Sequence, residues 1–382
     1  MHDLWRMKLV VISHACVTPQ NQAFFQHISE VAGWNVTIIL PKQWKTDFND
    51  RYAIQKLPGF KGEIIPVSVH LKGRIPLHFY HFGLFRAISR ERPDIIYVHN
   101  ESYALSTFQV MLFNFLFLRK TVGFYAAQNI IKKYLLPFRL IEKFNFRQAD
   151  YCFPVTESAA VALREKGFAG RIAVLPLGVT ENHVREPAAR GVPKQPFVIG
   201  YVGRLVPEKG IDVLLRSLAL LQSAGWECRI IGEGRIKDDL LRLGRELCIE
   251  DKTCFLGYVG HGEVSSHIAG FSVLILPSRT MPNWTEQFGR VIIEALAAGV
   301  PVIGTNSGEI PFLIRKLQGG VVIDEGDPQA LALAIDRLIS DPALAENFVI
   351  QGRENVRKYF LERKIAGDFV TEISAAMAAR RH

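Results

Sequence analysis

Four stretches in the second half of this chain place charged residues beside glycine just where an apolar run gives way to a helical pattern. The first is Gly203-Arg204-Leu205-Val206-Pro207-Glu208-Lys209-Gly210. A helix start favours anions through its unpaired N–H groups and the helix dipole. With Arg204 and Lys209 added, it suits a diphosphate; the same spacing also makes an ordinary solvated loop. The second, Ile231-Gly232-Glu233-Gly234-Arg235, opens like a dinucleotide-binding turn, but Lys237 stands where the third glycine belongs. A tight strand-to-helix turn is the better reading of it.

The third stretch runs from Pro277 to Glu294 and is the most informative. A polar loop enters a helix expected to reach Ala298, with Gly299 ending it and Pro301 opening the next strand. Glu286 is expected at the helix entrance, with Glu294 eight positions on, which on a helix is roughly 12 Å along the axis. Glycosidase carboxyl pairs stand about 5 to 9.5 Å apart, so a hydrolytic acid/base pair is disfavoured. The spacing fits one long ligand touched at two points, or two unrelated glutamates. The fourth stretch, Asn306-Ser307-Gly308-Glu309-Ile310-Pro311, offers further backbone donors or is a capped helix start.

These loops need strands and helices to hold them. Apolar strands are expected at 9–13, 36–40, 64–69, 95–99, 121–126 and 151–155, and again at 197–202, 227–231, 253–256, 273–276, 302–304 and 321–323. Helical patterns lie between them, including 77–90, 210–224, 237–247 and 291–298. Continuous apolar strands alternating with helices imply parallel sheets covered on both faces. Ligands then bind beyond the carboxyl ends of the strands. The stretch 180–196 has three prolines and no apolar period, and reads as a linker.

The 382 residues suffice for about two domains. The five cysteines, Cys16, Cys152, Cys228, Cys248 and Cys254, show no zinc spacing and read as reduced, mostly buried thiols. No secretory signal is visible, and the greasy run 104–118 is too short to span a bilayer, so it is expected to pack inside the first domain. A cytoplasmic protein is expected. Charge is uneven: residues 1–190 carry 24 Lys and Arg against 14 Asp and Glu, a net of +10, and the rest carry 22 against 23, a net of −1. A basic first half suggests an anionic partner there, a membrane surface or an anionic acceptor, and no nucleic-acid recognition motif accompanies it. Lys132, Lys133, Arg139, Lys143 and Arg147 are interleaved with Ile131, Leu135, Leu136, Phe138, Leu140, Ile141 and Phe144. From Pro137 on, this suits a helix with one apolar and one basic face. Such a helix either lies at the inner face of an anionic membrane or packs its apolar face on the core.

Taken together, the chain resembles glycosyltransferase family 4 over most of its length. Glu286-Gln-Phe-Gly-Arg-Val-Ile-Ile-Glu294 matches that family's Glu-x7-Glu signature, followed by the matching Ala-Leu-Ala-Ala-Gly-Val-Pro-Val-Ile-Gly and Ser-Gly-Glu-Ile-Pro. Gly203-Arg204 with Lys209 matches the phosphate loop, Leu175-Pro176-Leu177-Gly178-Val179 the end of the first domain, and Phe255-Leu256-Gly257-Tyr258-Val259 a strand and loop beside the base. The resemblance implies a GT-B fold: two doubly wound Rossmann-like domains facing a central cleft, with a C-terminal helix returning to the first. The expected division is an acceptor-binding domain over 1–180, a linker over 181–196, a nucleotide-sugar domain over 197–355 and a helical segment over 356–382.

The resemblance also implies roles. Arg204 and Lys209 hold the donor diphosphate, Glu294 accepts from the ribose hydroxyls, and Glu286 meets hydroxyls of the transferred sugar, helped by backbone N–H groups near Phe288 and Gly289. Arg290, Val291, Gly203 and Gly232 complete the donor-binding set, and Val259 packs near the base. A hexose-type sugar is then moved from a nucleotide-diphosphate donor to a glycan or lipid-linked acceptor with its anomeric configuration kept, in polysaccharide or glycolipid synthesis. Breaking the glycosyl–phosphate bond builds negative charge on the diphosphate, which fixed cations stabilise. No Asp-x-Asp is present, so no metal and no cofactor is expected.

Two departures lie in the first domain. The loop after strand one, His14-Ala15-Cys16-Val17-Thr18-Pro19-Gln20-Asn21, lacks the glycines that many relatives carry. Ala126-Ala127-Gln128-Asn129 stands where many carry a histidine. Gln128 can hold a sugar hydroxyl but cannot titrate. His14, His99 and Asn129 are further acceptor or sugar candidates. The competing readings are a nucleotide-sugar epimerase or phosphorylase on the same fold, and a non-catalytic nucleotide-sugar binder.

Overall fold

The computed structural model describes residues 7–45, 52–132, 134–184 and 196–380. Most of the expected linker and Lys133 lie outside the described residues. The chain divides into two compact units, one of residues 1–176 with 362–382, the other of 177–361. The first unit therefore ends at Pro176 rather than at residue 180, and the segment that rejoins it begins at Glu362 rather than at 356.

The first unit holds a parallel sheet of β1 (Lys8–Ile12), β2 (Asn35–Pro41), β3 (Glu63–Val67), β4 (Ile95–Val98), β5 (Thr121–Ala126), β6 (Tyr151–Pro154) and β7 (Arg171–Ile172). Its order is β7-β6-β5-β4-β1-β2-β3, with Leu9 between Val36 and Ile95. Two short antiparallel pairs, Gln43–Trp44 with Tyr52–Ala53 and Val69–His70 with Phe79–Tyr80, lie outside it. Strand β1 is buried from Leu9 to Ile12 because both its faces are covered. On one face lies α1 (Gln20–Ala32), and against α1 packs the C-terminal helix α13 (Glu362–Arg380). Ile365, Phe369 and Ile373 enter this core, where the Phe24 and Phe369 rings stand edge to face at 5.6 Å. Ion pairs Arg171–Glu372 (2.7 Å) and Arg380–Asp150 (2.9 Å) tie α13 to the strand ends. Helices α2 (Gly83–Glu91), α3 (Leu105–Phe113), α4 (Leu136–Gln148) and α5 (Glu157–Glu165) complete the unit. The helix expected over 77–90 is thus confined to α2, because Phe79–Tyr80 is drawn into a strand pair.

The second unit holds β8 (Phe197–Val202), β9 (Trp226–Ile231), β10 (Thr253–Gly257), β11 (Val273–Leu276), β12 (Val302–Thr305) and β13 (Gly320–Ile323), all parallel, in the order β10-β9-β8-β11-β12-β13. Helices α6 (Ile211–Leu218), α7 (Lys237–Glu246), α8 (His261–Ile268), α9 (Arg290–Ala297), α10 (Ile310–Leu317), α11 (Pro328–Ser340) and α12 (Pro342–Tyr359) surround it. In both units the first strand lies beside the fourth and the chain winds outward from there in both directions. That is the doubly wound pattern, with switch points between β1 and β4 and between β8 and β11.

Candidate functional site

At the second switch point, the loop after β8 carries Gly203, Arg204 and Lys209, and the loop after β11 carries Ser278, Trp284 and Glu286. Lys209 Nζ donates to Glu286 Oε2 at 2.6 Å, and Ser278 Oγ donates to the same oxygen at 2.8 Å. The ammonium also stands 4.9 Å from the centre of the Trp284 ring. Both partners are largely buried, with side chains 15% and 9% exposed. A charge pair so removed from water survives only if well placed and further bonded, and Ser278 and Trp284 supply those extra contacts. Arg204 is exposed, and its carbonyl accepts from the buried Tyr201 hydroxyl at 3.0 Å.

Glycine makes this crowding possible. A side chain at Gly232, whose φ is +142°, would strike the Gly203 carbonyl, so the loops after β8 and β9 lie backbone to backbone. Gly203 N donates to Ile231 O at 3.0 Å and Leu205 N to Glu233 O at 2.9 Å, closing that contact.

Glu286 is not at the helix entrance. Gly289 adopts a left-handed φ of 80°, and α9 starts only at Arg290. Glu286 belongs to the preceding loop, so the 12 Å figure for a continuous helix does not apply to it. Glu294 is on α9, where its carboxylate meets Arg290 Nε at 3.0 Å. Burial pushes the Glu294 carboxyl up, opposed by Arg290. Phe288 and Gly289 are buried at the turn into α9, and Val291 sits in the first helical turn. The first N–H groups of a helix have no intrahelical acceptor. Val259 follows β10 and is half-buried, beside the exposed Tyr258.

In the first unit, His14 follows β1, His99 follows β4, and Gln128 and Asn129 follow β5. Those three strands are adjacent, so these residues gather at one end of the sheet. Ser13 Oγ and His99 Nδ1 are 3.1 Å apart across the switch point. Burial holds the His99 imidazole down to about 4, and His14 lies well below the usual histidine range for the same reason, with His78 and His99 adding to it. His14 packs among the Trp44 and His78 rings at 4.9 and 5.3 Å. Both imidazoles are therefore neutral at physiological pH. Gln128 is buried. The loop that carries it is held by Glu101, whose Oε1 accepts from Ala127 N at 2.9 Å. Burial pushes the Glu101 carboxyl up to about 7, against the pull of that N–H. Sequence reasoning missed Glu101, Ser278 and Trp284; each lies within four residues of a strand end or of Glu286, which was the available signal.

Two family models match adjoining stretches of the chain. The model of Glycosyltransferase Family 4 matches residues 26–183, and that of Glycosyl transferases group 1 matches 184–355. The chain belongs to this glycosyltransferase family. Among curated relatives, it is 33% identical over 199 residues to a GDP-mannose-dependent phosphatidylinositol monomannoside mannosyltransferase of Mycobacterium tuberculosis, covering 49% of this chain and 52% of that one. It is 29% identical to a lipopolysaccharide core biosynthesis glycosyltransferase of Rhizobium meliloti, covering 59% and 64%. The chain thus spans about half the length of the first curated relatives it matches. Among solved structures, a sucrose-phosphate synthase of Thermosynechococcus elongatus superposes with a TM-score of 0.75 at 22% identity, covering 98% of this chain and 100% of that one. HepE of Anabaena, solved with UDP-glucose, gives 0.71 at 17%, covering 97% and 100%. The fold of this family member is GT-B.

Proposed function

We propose that this chain is a retaining glycosyltransferase that moves a hexose from a nucleotide-diphosphate sugar to a glycan or lipid-linked acceptor, in the synthesis of cell-surface polysaccharide or glycolipid. The observation that carries the reading is the Lys209–Glu286–Ser278 cluster at the switch point of the second unit, with exposed Arg204 on the same loop as Lys209. Cations fixed there stabilise the diphosphate as it departs, and a carboxylate beside them binds sugar hydroxyls. Glu294 takes the ribose hydroxyls, with Phe288, Gly289, Arg290, Val291, Gly203, Gly232 and Val259 around the donor. The mannosyltransferase and lipopolysaccharide relatives support an acceptor of glycan or lipid type. The basic first half supports a cytoplasmic protein in peripheral contact with the inner face of an anionic membrane.

The test is incubation with a panel of UDP-, GDP- and ADP-sugars, reading nucleotide release with and without lipid-linked or oligosaccharide acceptors and the anomeric configuration of the product. Release of free epimerised sugar without acceptor, or binding with no turnover on any pair, would defeat the reading.

On this reading Arg204 and Lys209 take the place of a metal at the diphosphate. Turnover is therefore expected to persist after exhaustive chelation. Activity lost with chelator and restored by magnesium or manganese would show the phosphate site to be misassigned.

Gln128 positions the donor sugar or the acceptor by hydrogen bonding. Gln128→Ala is expected to lower turnover about tenfold, the value of one substrate hydrogen bond, while Gln128→His keeps part of it. Unchanged turnover and Michaelis constants in Gln128→Ala would reduce Gln128 to a structural residue.

A further inference from the structure

The greasy run 104–118 does not pack wholly inside the first unit. Helix α3 ends at Phe113 and continues as a single π-helical turn, Asn114–Leu118, closed by Arg119 N donating to Asn114 O at 2.7 Å. The buried Asn114 side chain clamps it, donating to Lys120 O and accepting from Lys120 N, both at 2.8 Å. A π turn carries an extra residue per hydrogen-bonded ring and shifts the side chains that follow it. Phe115, Leu116 and Phe117 consequently stand in succession at the surface, Phe117 at 70% exposure.

Helix α4 lies beside this turn, with the Phe115 and Phe144 rings at 6.2 Å. Its apolar and basic residues do not fall on opposite faces. Buried Glu142, Asn145 and Phe146 face inward, while Leu136, Arg139, Leu140, Lys143 and Arg147 all point out. Leu135 and Leu136 are 77% and 66% exposed. Between Ser102 and Ala149 the chain has seven Lys and Arg and a single acid, Glu142. That acid is turned away from the surface and paired with Lys166 at 2.7 Å.

We propose that the π turn and the outward face of α4 form one docking surface that seats in the interface of an anionic bilayer. Leucine and phenylalanine side chains enter the acyl boundary, and the neighbouring long cations reach back to lipid phosphates. A second copy of the chain fits this surface poorly. A two-fold contact would set Arg139, Lys143 and Arg147 of one molecule against the same cations of the other. Among the described residues no helix is long and apolar enough to cross a membrane, so the contact is peripheral. The surface gives the proposed membrane contact its place and rests on that reading.

The experiment is co-sedimentation of the full chain with phosphatidylcholine vesicles, with and without phosphatidylglycerol, at low and moderate salt. Wild type is expected to bind only when phosphatidylglycerol is present, more weakly as salt rises. Leu116→Ser with Phe117→Ser is expected to lower the partition coefficient at least about tenfold, since it removes apolar area that enters the boundary. Arg139→Gln with Lys143→Gln is expected to lower it about 30-fold on the anionic vesicles. Melting curves and nucleoside-diphosphate binding on the same variants confirm that each is folded. No binding of wild type to anionic vesicles at low salt would overturn both the surface and the membrane contact. Wild-type binding retained in both double variants would overturn the surface alone. A wild-type dimer that falls apart in Leu116→Ser with Phe117→Ser, without vesicle binding, would assign the face to a second copy instead.

Discussion

Arg204→Ala is expected to lower kcat/KM for sugar transfer by about 100-fold or more while the melting temperature stays where it is. Arg204 is exposed, so its removal leaves no buried hole in the fold. Its expected role is at the departing diphosphate, where one preorganised donor contributes about 2.7 to 4 kcal/mol. Lys209→Ala should be at least as damaging to transfer but should also cost stability. It strips Glu286 of a partner at 2.6 Å in a largely buried site, and an uncompensated buried charge is costly. Lys209→Met with Glu286→Gln removes both charges and is expected to restore the melting temperature without restoring transfer. Glu294→Ala tests the other end of the proposed donor site. It releases Arg290 and should raise the donor Michaelis constant with little change in fold. Steady-state kinetics with any working donor decide the matter, and wild-type rates in both Arg204→Ala and Glu294→Ala would sink the assignment.

The central strands were legible because both their faces are covered. A run such as Val273–Leu276 is then apolar at every position, and its bounds agree with expectation to the residue. Helix ends were harder to see. The pattern from 210 to 224 stays helical in composition, yet α6 stops at Leu218. The cause is distant in sequence: Asp336 on α11 accepts from Gln222 N at 3.1 Å and from Ser223 N at 3.0 Å, giving those N–H groups a partner outside any helix. The exposed Phe115–Phe117 run was likewise hidden, because a hydrophobicity pattern does not record the extra residue of a π turn.

At the candidate site, the motifs pointed to loops that the structure brings together, but not to their internal bonding. Glu286 and Lys209 are 77 positions apart in the chain, and the spacing within either loop says nothing of the 2.6 Å pair they form. Nothing in the sequence of the polar loop singles out Ser278 and Trp284, which the pair itself brings to the site. The left-handed Gly289 lies within the signature segment, but only its φ of 80° reveals that the helix starts after it.

Gly308→Ala is expected to destabilise the protein by about 2 kcal/mol and to lower transfer beyond what the folded fraction accounts for. Gly308 holds a φ of +54°, and a left-handed conformation costs a side-chain-bearing residue roughly 1 to 2 kcal/mol. The added methyl would also overlap the Glu286 carbonyl oxygen, and it would lie 2.7 Å from Thr285 Oγ1 and 2.8 Å from Glu286 N. These are mostly backbone atoms, so no side-chain rotation relieves them. The contact that suffers is Glu309 N donating to Glu286 O at 3.1 Å, which joins the loop after β12 to the loop after β11. Relieving the overlap must shift the Glu286 backbone, and with it the carboxylate that Lys209 and Ser278 hold. A displacement of about 1 Å at a positioned group can cost on the order of 100-fold in rate. A control separates the two effects. Gly326 also has a left-handed φ, +77°, but nothing stands within 4 Å of an added Cβ there. Gly326→Ala should therefore carry the backbone cost alone, with turnover per folded molecule unchanged. Thermal melts and turnover measured below the melting range of both variants check this. Equal turnover per folded molecule in the two would mean that Gly308 serves the fold but does not hold Glu286 in place.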